Sequence, residues 1–137
     1  MGKTFIKPQK IKFAHCDAAG IVFYPRYFEM LNELVEDWFE EALDLPFSKL
    51  HDGEGVPTVD IKIKFRKASR LGTLFTKKLW LTRLGTSSAT YGFQFVDGET
   101  IYLEGEATIV HVTLSDKELK SQAWEKKMRI KMEEFLM

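Results

Sequence analysis

The stretch "HCDAAGIVFYPRYFEM", residues 15–30, combines a carboxylate in a run of small residues with the start of a new periodicity. Asp17 is followed by Ala18-Ala19-Gly20, the apolar step Ile21-Val22-Phe23, and Tyr24-Pro25. Pro25 suits the first turn of a helix, because its missing N–H would have had no intrahelical partner there. From there Tyr27, Phe28, Leu31, Leu34, Val35, Trp38, Phe39 and Ala42 recur at helical spacing, with glutamates between them. The pattern predicts one long helix with a broad apolar face, from about Tyr24 to Asp44. Pro46 limits its far end by disfavouring helix just before it.

Around this helix the period is that of strands. Phe5 to Phe13 reads as a first strand, with Pro8 marking an irregular start or a sheet edge. In "VDIKIKFR", residues 59–66, apolar and charged residues alternate strictly, as in a half-buried strand. "ASRLGT" turns the chain, and Leu74 to Leu84 has strand length with a less regular alternation. Ala89, Tyr91, Phe93 and Phe95 alternate again before Asp97-Gly98, a dipeptide suited to a two-residue hairpin turn. A long strand then runs from Ile101 to near Val112. From about Ser121, Trp124, Met128, Met132 and Phe135 share one side of a second helix, expected to pack outside the main unit.

The order of elements implies an α+β fold in a single domain, residues 1–137: an antiparallel meander wrapped around the long helix, with a C-terminal helix. A small sheet around one helix leaves edges uncovered, so a homo-oligomer is expected.

Composition narrows the function. Twenty basic and twenty acidic residues cancel, so no global field recruits nucleic acid or a membrane surface. No apolar run approaches the roughly 20 residues that span a bilayer, and "MGKTFIKPQKIKF" lacks the apolar core of a signal peptide, so a cytoplasmic protein is expected. The single cysteine, Cys16, excludes an intrachain disulfide, and beside Asp17 a reactive thiolate is disfavoured. His15, His51 and His111 are scattered, without metal-ligand spacing.

The amides at a helix start lack intrahelical acceptors and sit at the positive end of the dipole. A carboxylate folded back toward them would supply the two components of an acyl-transfer site, an attacking group or base and donors for the oxyanion. By spacing alone, Asp17 reads equally as a turn or capping residue.

The longer stretch "FAHCDAAGIVFYPRYFEML" closely resembles the N-terminal motif of the 4-hydroxybenzoyl-coenzyme A thioesterase family, roughly D-x-x-G-(I/V)-V-(F/Y/W)-(Y/H)-x-x-(Y/F). Asp17, Gly20, Ile21, Val22, Phe23, Tyr24 and Tyr27 match it, Pro25 matches the 4-hydroxybenzoyl branch, and "GVPTVDIKIKFRKASRLG" looks like the family's second strand. The resemblance implies the hotdog fold, sites at the interface of a homodimer or homotetramer (dimer of dimers), and hydrolysis of an acyl-coenzyme A substrate without metal or organic cofactor. It implies that Asp17 is the catalytic carboxylate and that the Tyr24 N–H is an oxyanion donor. Gly20, Val22 and Tyr27 are expected at the substrate. An ordinary Asp, with a pKa of about 3.9, is ionised at neutral pH, so it can attack as a nucleophile, or act as a base if its surroundings raise that value.

Three features depart from the family or extend beyond its motif. Ala18 stands where the 4-hydroxybenzoyl branch commonly has Pro, which leaves the acyl group open between a small aromatic and a short-to-medium chain. His15, two residues before Asp17, either tunes the carboxylate or makes a local strand-end hydrogen bond. Arg83, Thr86, Ser87 and Ser88 in "RLGTSSATYG" are the candidates for coenzyme A phosphate or pantetheine, with Lys67 and Arg70 as electrostatic substitutes, and each also reads as a solvated turn residue.

His51, Asp52 and Glu54 form a polar loop after the helix, one group of which is a candidate for assisting water, as an acid in that region does in other hotdog branches; His111 reads as structural. Of the aromatic series Phe23, Tyr24, Tyr27 and Phe28, Phe28 is assigned to the core and Tyr27 to either core or acyl pocket. The histidine-centred motif of hotdog dehydratases is not visible. A non-catalytic acyl-thioester-binding protein is the alternative, against which Asp17 in the motif position argues.

Overall fold

Strand β1 (Phe5–Lys10) leads through a 3-10 turn, Phe13–His15, and the Asp17 turn into the long helix α1 (Pro25–Glu41). There follow α2 (Phe47–Leu50), β2 (Glu54–Gly55), β3 (Thr58–Phe65), β4 (Leu74–Leu84), β5 (Ser88–Asp97), β6 (Thr100–Val110), β7 (Val112–Leu114), β8 (Leu119–Ser121) and α3 (Lys126–Glu133). The structure, a computed structural model, describes residues 2–50, 53–115 and 118–137. Five strands form one antiparallel sheet in the order β1-β4-β5-β6-β3, and β2, β7 and β8 form a small second sheet.

One face of the large sheet closes on α1. The helix buries Tyr27, Met30, Leu31, Leu34, Val35, Trp38 and Phe39, and these join one cluster with Phe75, Leu79, Leu81, Tyr91, Phe93, Phe95, Leu103, Ala107 and Ile109. Fully burying one large apolar side chain contributes about 1.5–3 kcal/mol, so this face accounts for why helix and sheet stay together. The expected helix-in-sheet arrangement is present.

Several boundaries differ from the expectation, each for a physical reason. The first strand stops at Lys10, and α1 ends at Glu41, ahead of Asp44, whose φ of 55° breaks the helical path. The hairpin turn lies one residue later, at Gly98-Glu99, because Asp97 still pairs with Thr100 and Gly98 takes a φ of 59°. The uneven alternation of β4 is explained by Lys77, which occupies an inward position between Phe75 and Leu79. Its ammonium donates to the Gln9 side-chain oxygen at 3.0 Å and to the Met30 carbonyl at 3.2 Å, and burial pushes its pKa down.

The meander is confined to β4, β5 and β6. Strand β3 pairs with β6 at the far edge, so the connection 66–73 crosses the end of the sheet to reach β4. This crossover passes the Asp17 turn.

The C-terminal segment corrects the expected outer helix. Residues 119–121 are strand β8, α3 begins only at Lys126, and Trp124, Met128, Met132 and Phe135 belong to the main core. Phe135 packs edge-on to Trp38 with ring centroids 5.7 Å apart. Beyond the end of β1, the Leu81 N–H donates to the Phe135 carbonyl and the Met137 N–H to the Leu81 carbonyl, so the C-terminus covers a part of β4 that β1 leaves bare. Pro8 stands on the β1 edge, where its missing N–H is harmless. The β3 edge has no covering strand among the described residues, and Val59 and Phe65 are exposed on it.

Candidate active site

Residues 15–23 fold back on themselves. Cys16 and Val22 form an antiparallel bridge, and the Phe23 N–H donates to the His15 carbonyl at 2.9 Å. At the tip, the Asp17 N–H donates to the Ile21 carbonyl and the Gly20 N–H to the Asp17 carbonyl, both at 3.0 Å. Gly20 closes this turn at a φ of 79°, the left-handed region that glycine adopts without steric cost.

Asp17 Oδ1 accepts the Ala19 N–H at 2.8 Å, the local bond that gives Asp its preference for turns. No group among the described residues donates to Oδ2. The carboxylate lines a cavity of about 360 Å³ together with Phe13, Cys16, Ala18, Gly20 and Leu71. Phe13, 82% exposed, and Leu71 form apolar walls.

Tyr24 is the residue that caps α1, and none of the described residues accepts its N–H. The neighbouring amides are spent, Arg26 on the Phe23 carbonyl and Tyr27 on the Tyr24 carbonyl. An unpaired N–H therefore stands at the positive end of the longest helix, four residues from Gly20. The Tyr24 ring is exposed and packs edge-on against Phe23 and Phe65.

Of the side chains expected at the substrate, Gly20 lines the cavity, whereas Val22 and Tyr27 point into the core. The Tyr27 hydroxyl donates to Ser69 Oγ at 2.8 Å, and burial pushes its pKa up against the opposing effect of that bond. Ser69, in the crossover 66–73, is fully buried, and its carbonyl accepts the Val22 N–H at 2.9 Å. Nothing in "KASR" distinguishes this serine from a solvated turn residue; only the crossing of the chain buries it. Phe28, assigned to the core, is half-buried and lines a second cavity of about 270 Å³ with Leu31, Asn32, Thr58, Ile61 and Tyr91.

His15 Nδ1 accepts the Lys12 N–H at 2.9 Å, the local bond of a strand-end histidine. Cys16 is half-buried, its sulfur near the Lys12 carbonyl at 3.6 Å. Arg70 bridges Ile21 and so stands beside the Asp17 turn, while the Lys67 ammonium lies 5.9 Å over the Tyr102 ring.

Arg83, Thr86, Ser87 and Ser88 are elsewhere. Lys10, just before the Asp17 segment, pairs with Leu74 at the start of β4, and these four flank the other end. At about 3.3 Å per residue, β4 separates the two ends by roughly 35 Å, so one chain does not bring them together. Their turn is clasped by the C-terminal segment: Trp124 donates its N–H to the Thr86 carbonyl and its Nε1–H to the Ser88 carbonyl, both at 3.0 Å, and Arg129 donates to the Gly85 carbonyl at 2.7 Å. Glu54 lies at this end too, its Oε1 2.5 Å from His111 Nε2. His111 Nδ1 is 3.2 Å from the Ala123 carbonyl and its ring stacks on Trp124, a structural position as expected. His51 and Asp52, also considered for water activation, lie outside the described residues.

The family model described as the Thioesterase superfamily matches residues 19–104, from the Asp17 turn into β6. The chain belongs to this superfamily. The enzyme class expected from the motif, a thioester hydrolase, stands with that membership. A 1,4-dihydroxy-2-naphthoyl-CoA hydrolase of Prochlorococcus marinus (strain MIT 9515) is 25% identical over 119 residues, covering 80% of this chain and 75% of its own. Among solved structures, gentisyl-coenzyme A thioesterase BH1999 superposes with a TM-score of 0.81 at 24% identity, over 90% of this chain and 98% of its own. A 4-hydroxybenzoyl-CoA thioesterase variant complexed with 4-hydroxybenzoyl-CoA gives 0.83 at 18% identity, over 94% and 98%. These two likenesses are of fold, and this thioesterase-superfamily chain has the hotdog fold. No helix among the described residues is long and apolar enough to cross a membrane.

Proposed function

We propose that the chain hydrolyses the coenzyme A thioester of a small hydroxylated aromatic acid, with Asp17 as the attacking group or base and the Tyr24 N–H as an oxyanion donor. The observation that carries this reading is the placement, on one tight turn and the helix start it leads into, of a carboxylate oxygen and an amide that both lack a partner among the described residues. The acyl class is supported by the names of the three similar proteins, which share a hydroxylated aromatic acyl group, and by the apolar walls of Phe13 and Leu71 beside Asp17.

Asp17 Oδ2 attacks the thioester carbonyl, expelling the thiolate and leaving a mixed anhydride that water hydrolyses, or it takes a proton from the water that attacks. Label from ¹⁸O-water in the Asp17 carboxylate after one turnover identifies the first route, with water attacking the Asp17 carboxyl carbon of the anhydride. In both, negative charge grows on the carbonyl oxygen, where one preorganised donor is worth about 2.7–4 kcal/mol of barrier.

A homodimer completes the site. Phe65, at the end of β3, packs against Tyr24 and Tyr27, while Thr58, at its start, lies toward the β4–β5 turn. If two uncovered β3 edges pair antiparallel about a two-fold axis, each Asp17 end meets the partner's opposite end. Arg83, Thr86, Ser87 and Ser88 would then serve the coenzyme A of the other subunit, with Arg70 contributing in its own chain.

The test is thiol release from a panel of aromatic and aliphatic acyl-coenzyme A substrates by wild type and Asp17→Asn. Turnover ranked highest for hydroxylated aromatic substrates and abolished in the variant is expected. Near-normal kcat in Asp17→Asn, or a preference for aliphatic chains, overturns the corresponding part.

A further inference from the structure

We infer that Ser69 and Tyr27 form a buried brace that positions the Asp17 turn against the start of α1, so that both are positioning residues for the hydrolysis. This rests on the roles proposed above for Asp17 and the Tyr24 amide. Those two groups belong to different rigid pieces, the tip of a turn and the end of a helix. The three residues between Gly20 and Tyr24 join them covalently without fixing the angle between them.

Ser69 touches both pieces. Its carbonyl accepts the Val22 N–H at 2.9 Å, holding the returning leg of the turn, and its hydroxyl accepts from Tyr27, in the first turn of α1, at 2.8 Å. The adjoining crossover residues extend the grip: Arg70 bridges Ile21, and the Leu71 N–H reaches the Gly20 carbonyl at 3.4 Å. Among the described residues, no other side chain is hydrogen-bonded to the first turn of α1 from outside the helix while its own residue also binds this loop. Ser69 is 0% and Tyr27 5% exposed, so water is not at hand to replace the bond.

Directionality is the reason for a hydrogen bond here. An apolar pair of the same size would fill the space and still let the helix end shift along the crossover, whereas a donor aimed at one oxygen sets distance and angle. The raised pKa of Tyr27 keeps its hydroxyl protonated, and therefore donating, over the range in which an ionised carboxylate works. The Phe65 ring, 5.7 Å from that of Tyr27, packs against the tyrosine.

The experiment compares Tyr27→Phe, Ser69→Ala, the double variant and Asp17→Asn by steady-state kinetics and thermal unfolding. A displacement of reacting groups by about 1 Å costs up to roughly 100-fold, so each single variant is expected to lose about 10- to 100-fold in kcat. KM should stay within about twofold, and the double variant should lose no more than the worse single, since both remove one bond. Tyr27→Phe deletes a single oxygen and decides the matter even where Ser69→Ala does not fold. A folded Tyr27→Phe with wild-type kcat and only a lowered unfolding midpoint overturns the brace, as does an additive double variant. If Asp17→Asn is inactive while Tyr27→Phe is normal, only the brace fails. If Asp17→Asn is fully active, the underlying reading of the site fails.

Discussion

The two ends of the large sheet use the same kinds of residue in opposite ways. At the end where β1 stops and the crossover passes, Asp17 has one oxygen and Tyr24 an N–H without a partner among the described residues, and apolar side chains stand in solvent around a cavity. At the other end His111, 2% exposed, has both ring nitrogens engaged, Glu54 is bound to it, and Trp124 and Arg129 spend their donors on turn carbonyls. Each end has a histidine and an acid nearby. What separates the two ends is whether hydrogen-bonding capacity remains: a satisfied group stabilises the fold, and an unsatisfied one, held in place, is available to a ligand.

The sharpest break of that contrast is Asp17→Asn. It should lower kcat by at least about 100-fold while leaving the unfolding midpoint unchanged, because Asn retains an oxygen for the Ala19 amide. Thiol release and a thermal melt on the same preparation check both halves.

Next comes Trp124→Ala at the satisfied end, which should cost about 3–5 kcal/mol in denaturant unfolding, through lost packing on His111 and the lost Nε1–H anchor of the β4–β5 turn. Turnover per folded molecule should remain at wild type, and a matching fall in kcat would join the two ends functionally.

Glu54→Gln is milder. It weakens the bond to His111 and should cost about 1–2 kcal/mol of stability, with kcat within about twofold. A larger kinetic loss, measured by the same thiol assay, would bring Glu54 into the reaction. The smallest effect is expected for Arg83→Ala, an exposed cation at the far turn, which should raise KM for coenzyme A thioesters about two- to fivefold and lose that effect as salt rises. An unchanged KM at low salt would remove the far turn from the partner's site.

Local pattern carried much of this protein. The 3.6-residue recurrence from Tyr27 to Phe39 is the buried face of α1, the strict alternation at 59–66 is β3, and the motif around Asp17 places the turn, its glycine and the helix start in register. Where pattern misled, a long-range partner had intervened. Lys77 breaks the alternation of β4 because Gln9 and the Met30 carbonyl receive its ammonium inside the core. Trp124 and Phe135 form an apolar row that looks peripheral until the bare flank of β4 and the ring of Trp38 are set beside it.

The sequence by itself therefore determined the elements, the faces they bury and the turn that carries Asp17, since periodicity and turn chemistry act between residues a few positions apart. Tertiary structure alone decided that β3 crosses to the far edge, that Ser69 is buried between turn and helix, and that Arg83 to Ser88 stand a sheet's length from Asp17. Those relations come from which strand pairs with which, and pairing is chosen by the burial of the whole core rather than by any local signal.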